Sequence, residues 1–374
     1  MHKHATEWLS RLRQLARGDA NPPPPTLPRR RRALTLPSSS PLATAESAFF
    51  QRLPEEIRQL ILKYAFGMAT LHLHLSLEHP PGDTYFASNE LRHANIPLSS
   101  ERDRARFRRW EWTGHRCHRT RSVWRGPPAS DSDSLRPVMD VCQSHPNWVS
   151  AMWCRGPGVG ECYVGVMGWL VACRQAYQEG IGILYETNRF HIQGQQVFHR
   201  LPNVLRPQRL AAIREVELLW DIQPYESWDA EWMAEFHRSI QELPKVLPNL
   251  QFLYLSLQTG LEAKNDPVYK NDIETRRHTN PDKILEQIDY AIRSMKFLRD
   301  TRIALPSCIY RGLKFKANGK SISWTHTYSD NDAVWRNVSC DGGRLTDSPK
   351  GYWICHGQMD TVHPLLYPEA PQTG

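Results

Sequence analysis

Apolar residues recur at helical spacing from Phe49-Phe50 through Leu53, Ile57, Leu60, Ile61 and Tyr64 to a stop at Gly67. Pro54 suits a first helical turn, where its missing N–H would have no partner anyway. Glu55 and Glu56 complement the positive helix start, Lys63 the negative end, and Gly67 can close the last turn. Leu53, Ile57, Leu60, Ile61 and Tyr64 line one stripe, and a stripe beside a large apolar body is expected to pack inside the same chain. Immediately afterwards the period changes to two. Leu71, Leu73 and Leu75 alternate with His72 and His74, which predicts a strand with both histidines on one face, read as the wetter face of an edge strand.

Further along, Leu170, Cys173 and Tyr177 share a helical face within Met167–Glu179, and Gly180 and Gly182 predict a break before Leu184 and Tyr185. Phe190 and Ile192 alternate as a strand. Val216, Leu218 and Trp220 form another, and Leu250 to Leu257 a third that is more continuously apolar. Between the last two, Trp228, Trp232, Phe236, Ile240 and Leu243 recur at helical spacing behind Ser227 as a cap. Strand, helix, strand at these lengths is a βαβ unit with parallel pairing. Asn280-Pro281 then opens a helix that turns Ile284, Leu285, Ile288, Ile292, Met295 and Leu298 inward. The lead-ins Leu210…Ile213 and Leu247…Leu250 lie 37 residues apart and suggest leucine-rich-repeat-like geometry. Near the C-terminus, Leu313 and Phe315 before Asn318-Gly319, with Ile322 and Trp324 after it, predict a β-hairpin.

Charge changes the picture at two places. Residues 1–48 carry a net +5 and residues 102–125 a net +7 in a chain of total +8, so the remainder is −4. The first stretch, with Pro22–Pro25, Arg29–Arg32 and Ser38–Ser40, reads as a disordered basic tail over 1–45. The second holds nine arginines with Phe107, Trp110, Trp112 and Trp124 among them. Such a mixture offers phosphate contacts and base stacking, so residues 102–125 are a candidate nucleic-acid surface. The other reading is a charged flap whose arginines pair with the acidic body and whose tryptophans fold back onto it. No apolar run is long enough to span a membrane and no signal-peptide core is evident, which predicts an intracellular, cytoplasmic or nuclear protein.

Catalytic signatures do not emerge. There is no Gly-x-Ser-x-Gly and no His-Glu-x-x-His. Gly156-Pro157-Gly158-Val159-Gly160 has a proline where a phosphate loop needs an amide, and Gly319-Lys320-Ser321 lacks the upstream glycine of a P-loop. The eight cysteines read as reduced thiols. His115, Cys117, His118, Cys142, His145, Cys154 and Cys162 are zinc-type ligands but show no Cys-x2-Cys spacing. No catalytic, cofactor or metal residue is assigned from the sequence, and no enzymatic activity is expected.

The order of features resembles a fungal F-box-like family of unknown function (domain of unknown function 7730 type). The resemblance rests on Phe49-Phe50, Leu53-Pro54-Glu55-Glu56-Ile57, Ala172-Cys173-Arg174-Gln175-Ala176-Tyr177, Leu184-Tyr185-Glu186-Thr187-Asn188-Arg189-Phe190 and Leu218-Leu219-Trp220. It implies an α+β fold: F-box-like helices packed on a small βαβ layer, with the C-terminal β-hairpin added. The boundaries are then 1–45 for the tail and 46–310 for the domain, with the Arg/Trp-rich insertion at about 82–162. Residues 311–374 form the hairpin and an irregular tail. The resemblance also implies a protein-interaction role without cofactor. Leu53, Pro54, Ile57, Leu60, Ile61 and Tyr64 are the candidate partner-docking residues, and a SKP-type adaptor of a cullin ubiquitin ligase is the candidate partner.

Overall fold

The structure, a computed structural model, describes residues 24–27, 47–82, 102–117, 164–222, 230–259, 282–305, 310, 313, 333–338 and 350–356. Helices α1 (Ala48–Arg52) and α2 (Glu55–Phe66) lead into strand β1 (Thr70–Glu78), and β2 (Arg109–Arg116) follows. Helices α3 (Val166–Ala172) and α4 (Arg174–Glu186) precede β3 (Arg189–Gln193). Then come α5 (Gln195–Val204), α6 (Pro207–Leu210), β4 (Glu215–Ile222), α7 (Ala230–Val246), β5 (Phe252–Thr259), α8 (Asp282–Ser294) and β6 (Asp300–Leu305). Strands β7 (Ala333–Asn337) and β8 (Gly351–His356) complete the described elements.

All eight strands form one mixed sheet in the order β2-β1-β3-β4-β5-β6-β8-β7. The run from β1 to β8 is parallel, whereas β2 and β7 pair antiparallel at the two edges. Helices with a mixed sheet make this an α+β arrangement. The expected βαβ unit is present as β4-α7-β5, and α8 carries the chain on to β6.

Alternation divides the sheet into two faces. Leu71, Phe190, Val216, Leu253, Ile303 and Ile354 belong to the face that receives Phe198 and Leu201 of α5, Phe236 and Ile240 of α7, and Ile288 and Ile292 of α8. Trp220, fully buried, sits edge-on to Phe236 at 6.1 Å between ring centroids. The two lead-ins stack as their similarity suggests. Leu210, Ile213, Leu247 and Leu250 are all buried, and Asn249 Nδ2 donates to the Ala211 carbonyl at 2.8 Å. On the same face Asp289 of α8 anchors the C-terminal strands. Its carboxylate accepts from Arg336 Nη2 of β7 at 2.7 Å and from Tyr352 Oη of β8 at 2.9 Å.

Several expectations need correcting. The break after Met167 falls at Cys173, which is extended (φ −161°, ψ 170°) and caps α4 by accepting the Ala176 N–H on Sγ. Gly180 and Gly182 continue the helix instead. Gly180 is required by close approach, because a Cβ there would lie 2.7 Å from Trp169 Cδ1 of α3. Gly67 likewise serves proximity, since its backbone is extended and a Cβ would meet Thr187 Oγ1 at 2.5 Å. β1 is not an edge strand, and His72 on it is fully buried.

Part of the Arg/Trp-rich insertion is strand β2 rather than a flap. Leu75 and Leu77 of β1 face Trp112 and Trp110, and Trp112 packs against the core. The arginines pair mostly with carboxylates of the same segment rather than with the acidic body: Arg102 reaches Glu111 at 3.4 Å, Arg106 reaches Asp103 at 3.0 Å and Arg109 reaches Glu111 at 2.9 Å, while Arg102 also lies 3.7 Å from Glu78 of β1. The hairpin expected around Asn318-Gly319 lies outside the described residues, and the C-terminal antiparallel pair observed is β7–β8. Most of the 1–45 tail also lies outside them. Within 24–27, the Leu27 N–H donates to the Asn203 carbonyl at 2.7 Å.

Candidate functional site

The second face of the sheet carries polar chemistry. One residue from each strand falls in a single transverse register: His115, His72, His191, Glu217, Tyr254, Arg302, Trp353 and Trp335 from β2 to β7. Parallel, in-register pairing forces this line, because every strand presents alternate residues to the same side. The row is dry at its histidine end. His72, His191 and Glu217 are each fully buried and His115 is 2% exposed, whereas Trp353 and Trp335 are 41% exposed.

Glu217 holds the middle of this row through two neighbours. Its Oε2 lies 2.8 Å from His191 Nδ1 and its Oε1 3.5 Å from Arg189 Nη1. Arg189 is itself held by Glu215 at 2.7 Å, and its guanidinium lies 4.2 Å from the Phe252 ring centroid. A buried carboxylate with two cationic or hydrogen-bonding neighbours has its desolvation cost offset and is locked in orientation. His191 is thereby aimed beside His72, with ring centroids 4.7 Å apart.

Three imidazoles meet at the other end. His72 stacks on His115 at 4.7 Å between centroids, His74 on His115 at 5.5 Å, and His72 on His74 at 5.8 Å. One ring nitrogen from each lies within 4.8 Å of the others. This is a nitrogen donor set of the type that holds transition metals. The sequence placed His72 and His74 on one face but grouped His115 with Cys117, His118 and later cysteines. Register across the β1–β2 pair joins His115 to His72 instead. Of that second group only His115 and Cys117 fall among the described residues. The one clue in the chain is the alternation of Trp110 and Trp112 with Glu111 and Thr113, which marks β2 as a strand and puts His115 opposite the tryptophans.

The candidate docking residues occupy a different place. Helix α2 is held by Leu62 and Phe66, which cluster with Val166 of α3 and Ile183 of α4. Arg58, on the same side, donates from Nη2 and Nε to the two oxygens of Glu179 at 2.7 and 2.9 Å and from Nη1 to the Leu53 carbonyl at 2.6 Å. The hydrogen bond to Glu179 raises the Arg58 pKa. Burial opposes ionisation of Glu179, but the hydrogen bonds from Arg58 and Gln175 and the Arg58 charge outweigh it, holding this carboxyl below its ordinary range. The stripe expected to be inward therefore faces out: Ile57 is 44% exposed, Leu60 48%, Ile61 41% and Tyr64 70%. Pro54 is exposed as the N-cap residue, and Leu53 is half-buried. α2 has two apolar arcs, and the narrower one packs, with Leu62 and Phe66 against Val166 and Ile183 and the Arg58–Glu179 pair beside them.

Among the described residues, no helix is long and apolar enough to cross a membrane. No curated protein and no solved structure matches the chain. Residues 160–307, from the approach to α3 through β6, carry a domain of unknown function, DUF7730.

Proposed function

We propose that this chain is a non-enzymatic protein-interaction module that docks a partner helix on the outward face of α2, with a SKP-type adaptor of a cullin ubiquitin ligase as the partner. The observation that supports the reading is the i, i+3, i+4, i+7 set Ile57, Leu60, Ile61 and Tyr64, which stays exposed while the opposite side is clamped by Leu62, Phe66 and Arg58–Glu179. Helix-in-groove recognition uses anchors at this spacing on a helix whose rotation is already fixed. The Leu53-Pro54-Glu55-Glu56-Ile57 start, similar to the opening of an F-box, supports this choice of occupant. In this reading the sheet body acts as a substrate receptor.

The test is a calorimetric titration of the purified full-length chain with a purified SKP-type adaptor, beside the variant Leu60→Asp/Ile61→Asp. Saturable binding with Kd of about 10 µM or tighter, lost in the variant while its melting temperature is retained, is the expected result. Absence of binding at ~100 µM adaptor, or binding that the double variant leaves unchanged, overturns the proposal.

A further inference from the structure

We infer that His72, His74 and His115 form a binding site for a divalent zinc-type ion, which ties the edge strand β2 to β1. The inference goes beyond the docking role of α2 and does not rest on it.

Three observations converge. The first is placement: His72 and His74 are two apart on β1, and His115 is the cross-strand partner of His72, so the backbone ladder delivers all three to one side of the sheet. The second is proximity: one nitrogen of each lies within 4.8 Å of the others. An ion with zinc–nitrogen bonds of about 2.0–2.1 Å in tetrahedral geometry needs its nitrogens roughly 3.3 Å apart. Each ring therefore has to advance by less than about an ångström, within reach of small rotations about soft side-chain torsions. The third is the gradient of burial. His72 and His115 are buried and His74 is half-buried. The two inner ligands are enclosed by the fold, and the outer one stands at the side from which an ion and a fourth ligand can arrive.

The chemistry of the donor set then narrows the ligand. Three neutral imidazoles with no thiolate in the set suit zinc, cobalt, nickel or copper and not calcium or magnesium, which take oxygen. Three protein ligands leave one position of a tetrahedral ion to water, unlike the closed four-ligand structural centres. The three rings lie 4.7 to 5.8 Å apart between centroids, and each brings one nitrogen to within 4.8 Å of the others. His191, locked by Glu217 at 2.8 Å, packs beside His72 from the next strand. It is a positioning residue: it restrains the rotation of the innermost ligand, the role outer-shell partners play in metal sites.

The experiment uses the full-length chain, freed of metal by chelator dialysis and titrated with zinc chloride by calorimetry and with cobalt chloride by visible absorption. The expected result is one ion per chain, cobalt bands without sulfur-to-metal charge transfer, and a rise in melting temperature on loading. His74→Gln, at the half-exposed position, is expected to weaken binding more than tenfold while the apo protein melts as before. Cys117→Ala, two residues beyond His115, should leave binding unchanged. His191→Gln should weaken binding less than His74→Gln does. Sub-stoichiometric uptake, uptake insensitive to His74→Gln, or loss of binding in Cys117→Ala each overturns the three-histidine site.

Discussion

Truncating the two sides of α2 separately gives the sharpest test of how this helix is seated. Leu62 is 3% exposed and packs among Phe66, Val166 and Ile183, with Trp169 and Leu170 at the rim. Leu62→Ala removes about three carbons from that cluster and leaves a void. Core truncations of this kind cost about 2–5 kcal/mol. The cluster is small and its rim is half-exposed, so it can collapse partway, which places the cost near ~2.5 kcal/mol. Leu60, 48% exposed, already leaves about half its surface in water. Its truncation should cost about 0.5–1 kcal/mol. For a chain of this size each kcal/mol corresponds to roughly 2 °C of melting temperature. Leu62→Ala should therefore melt about 5 °C below the parent and Leu60→Ala about 1–2 °C below, read by circular dichroism with urea titration as a cross-check. Equal losses in the two variants would refute the seating, because they would mean that the Ile57–Leu60–Ile61–Tyr64 side is packed as firmly as the Leu62–Phe66 side.

Asp289→Ala leaves Arg336 and the Tyr352 hydroxyl without their shared acceptor; we expect a loss of about 2–4 kcal/mol in urea denaturation, with Asp289→Asn intermediate. Gly180→Ala should destabilise despite the better helix propensity of alanine, because the new methyl meets a Trp169 ring that Phe49 and Phe50 hold in place at 5.0 and 5.6 Å; adding Trp169→Leu should restore part of the loss in a thermal melt. Glu179 has a folded-state pKa below its unfolded one, so its contribution is fully present above the unfolded pKa and disappears as pH falls through the folded one; the parent should lose melting temperature in that acid window relative to Glu179→Gln, whose curve should be flatter.

Local signals made much of the fold legible. The β4-α7-β5 unit and the inward face of α8 follow from runs whose period and length leave little choice, and the buried Ile284, Leu285, Ile288 and Ile292 are the residues that periodicity selects. What escaped was decided by partners far along the chain. The packed side of α2 meets Val166, Ile183 and Glu179, the last 121 residues beyond Arg58, so a face containing an arginine reads as outward until its carboxylate is known. The histidine cluster depends on register between β1 and β2, whose facing residues His72 and His115 lie on separate stretches. Local alternation puts side chains on faces, and it is silent about which strand becomes the neighbour. The same holds for Gly180, which reads as a helix breaker until Trp169 is seen lying against it.

The strand order β1-β3-β4-β5-β6-β8 advances in one direction without reversing. An open sheet that reverses places a ligand crevice at the point of reversal; this run of strands contains no such point. Neighbouring strands sit about 4.8 Å apart, while packed helices need about 8–10 Å. With α5, α7 and α8 all on the Leu253 side, the wider spacing of helices than of strands favours a bend that keeps the helix layer outside. On the opposite face Ser256 and Ala304 are nearly inaccessible. Ala304 packs there with Phe252 and Tyr254, so enlarging it should be harder to accommodate than a like change at an exposed position.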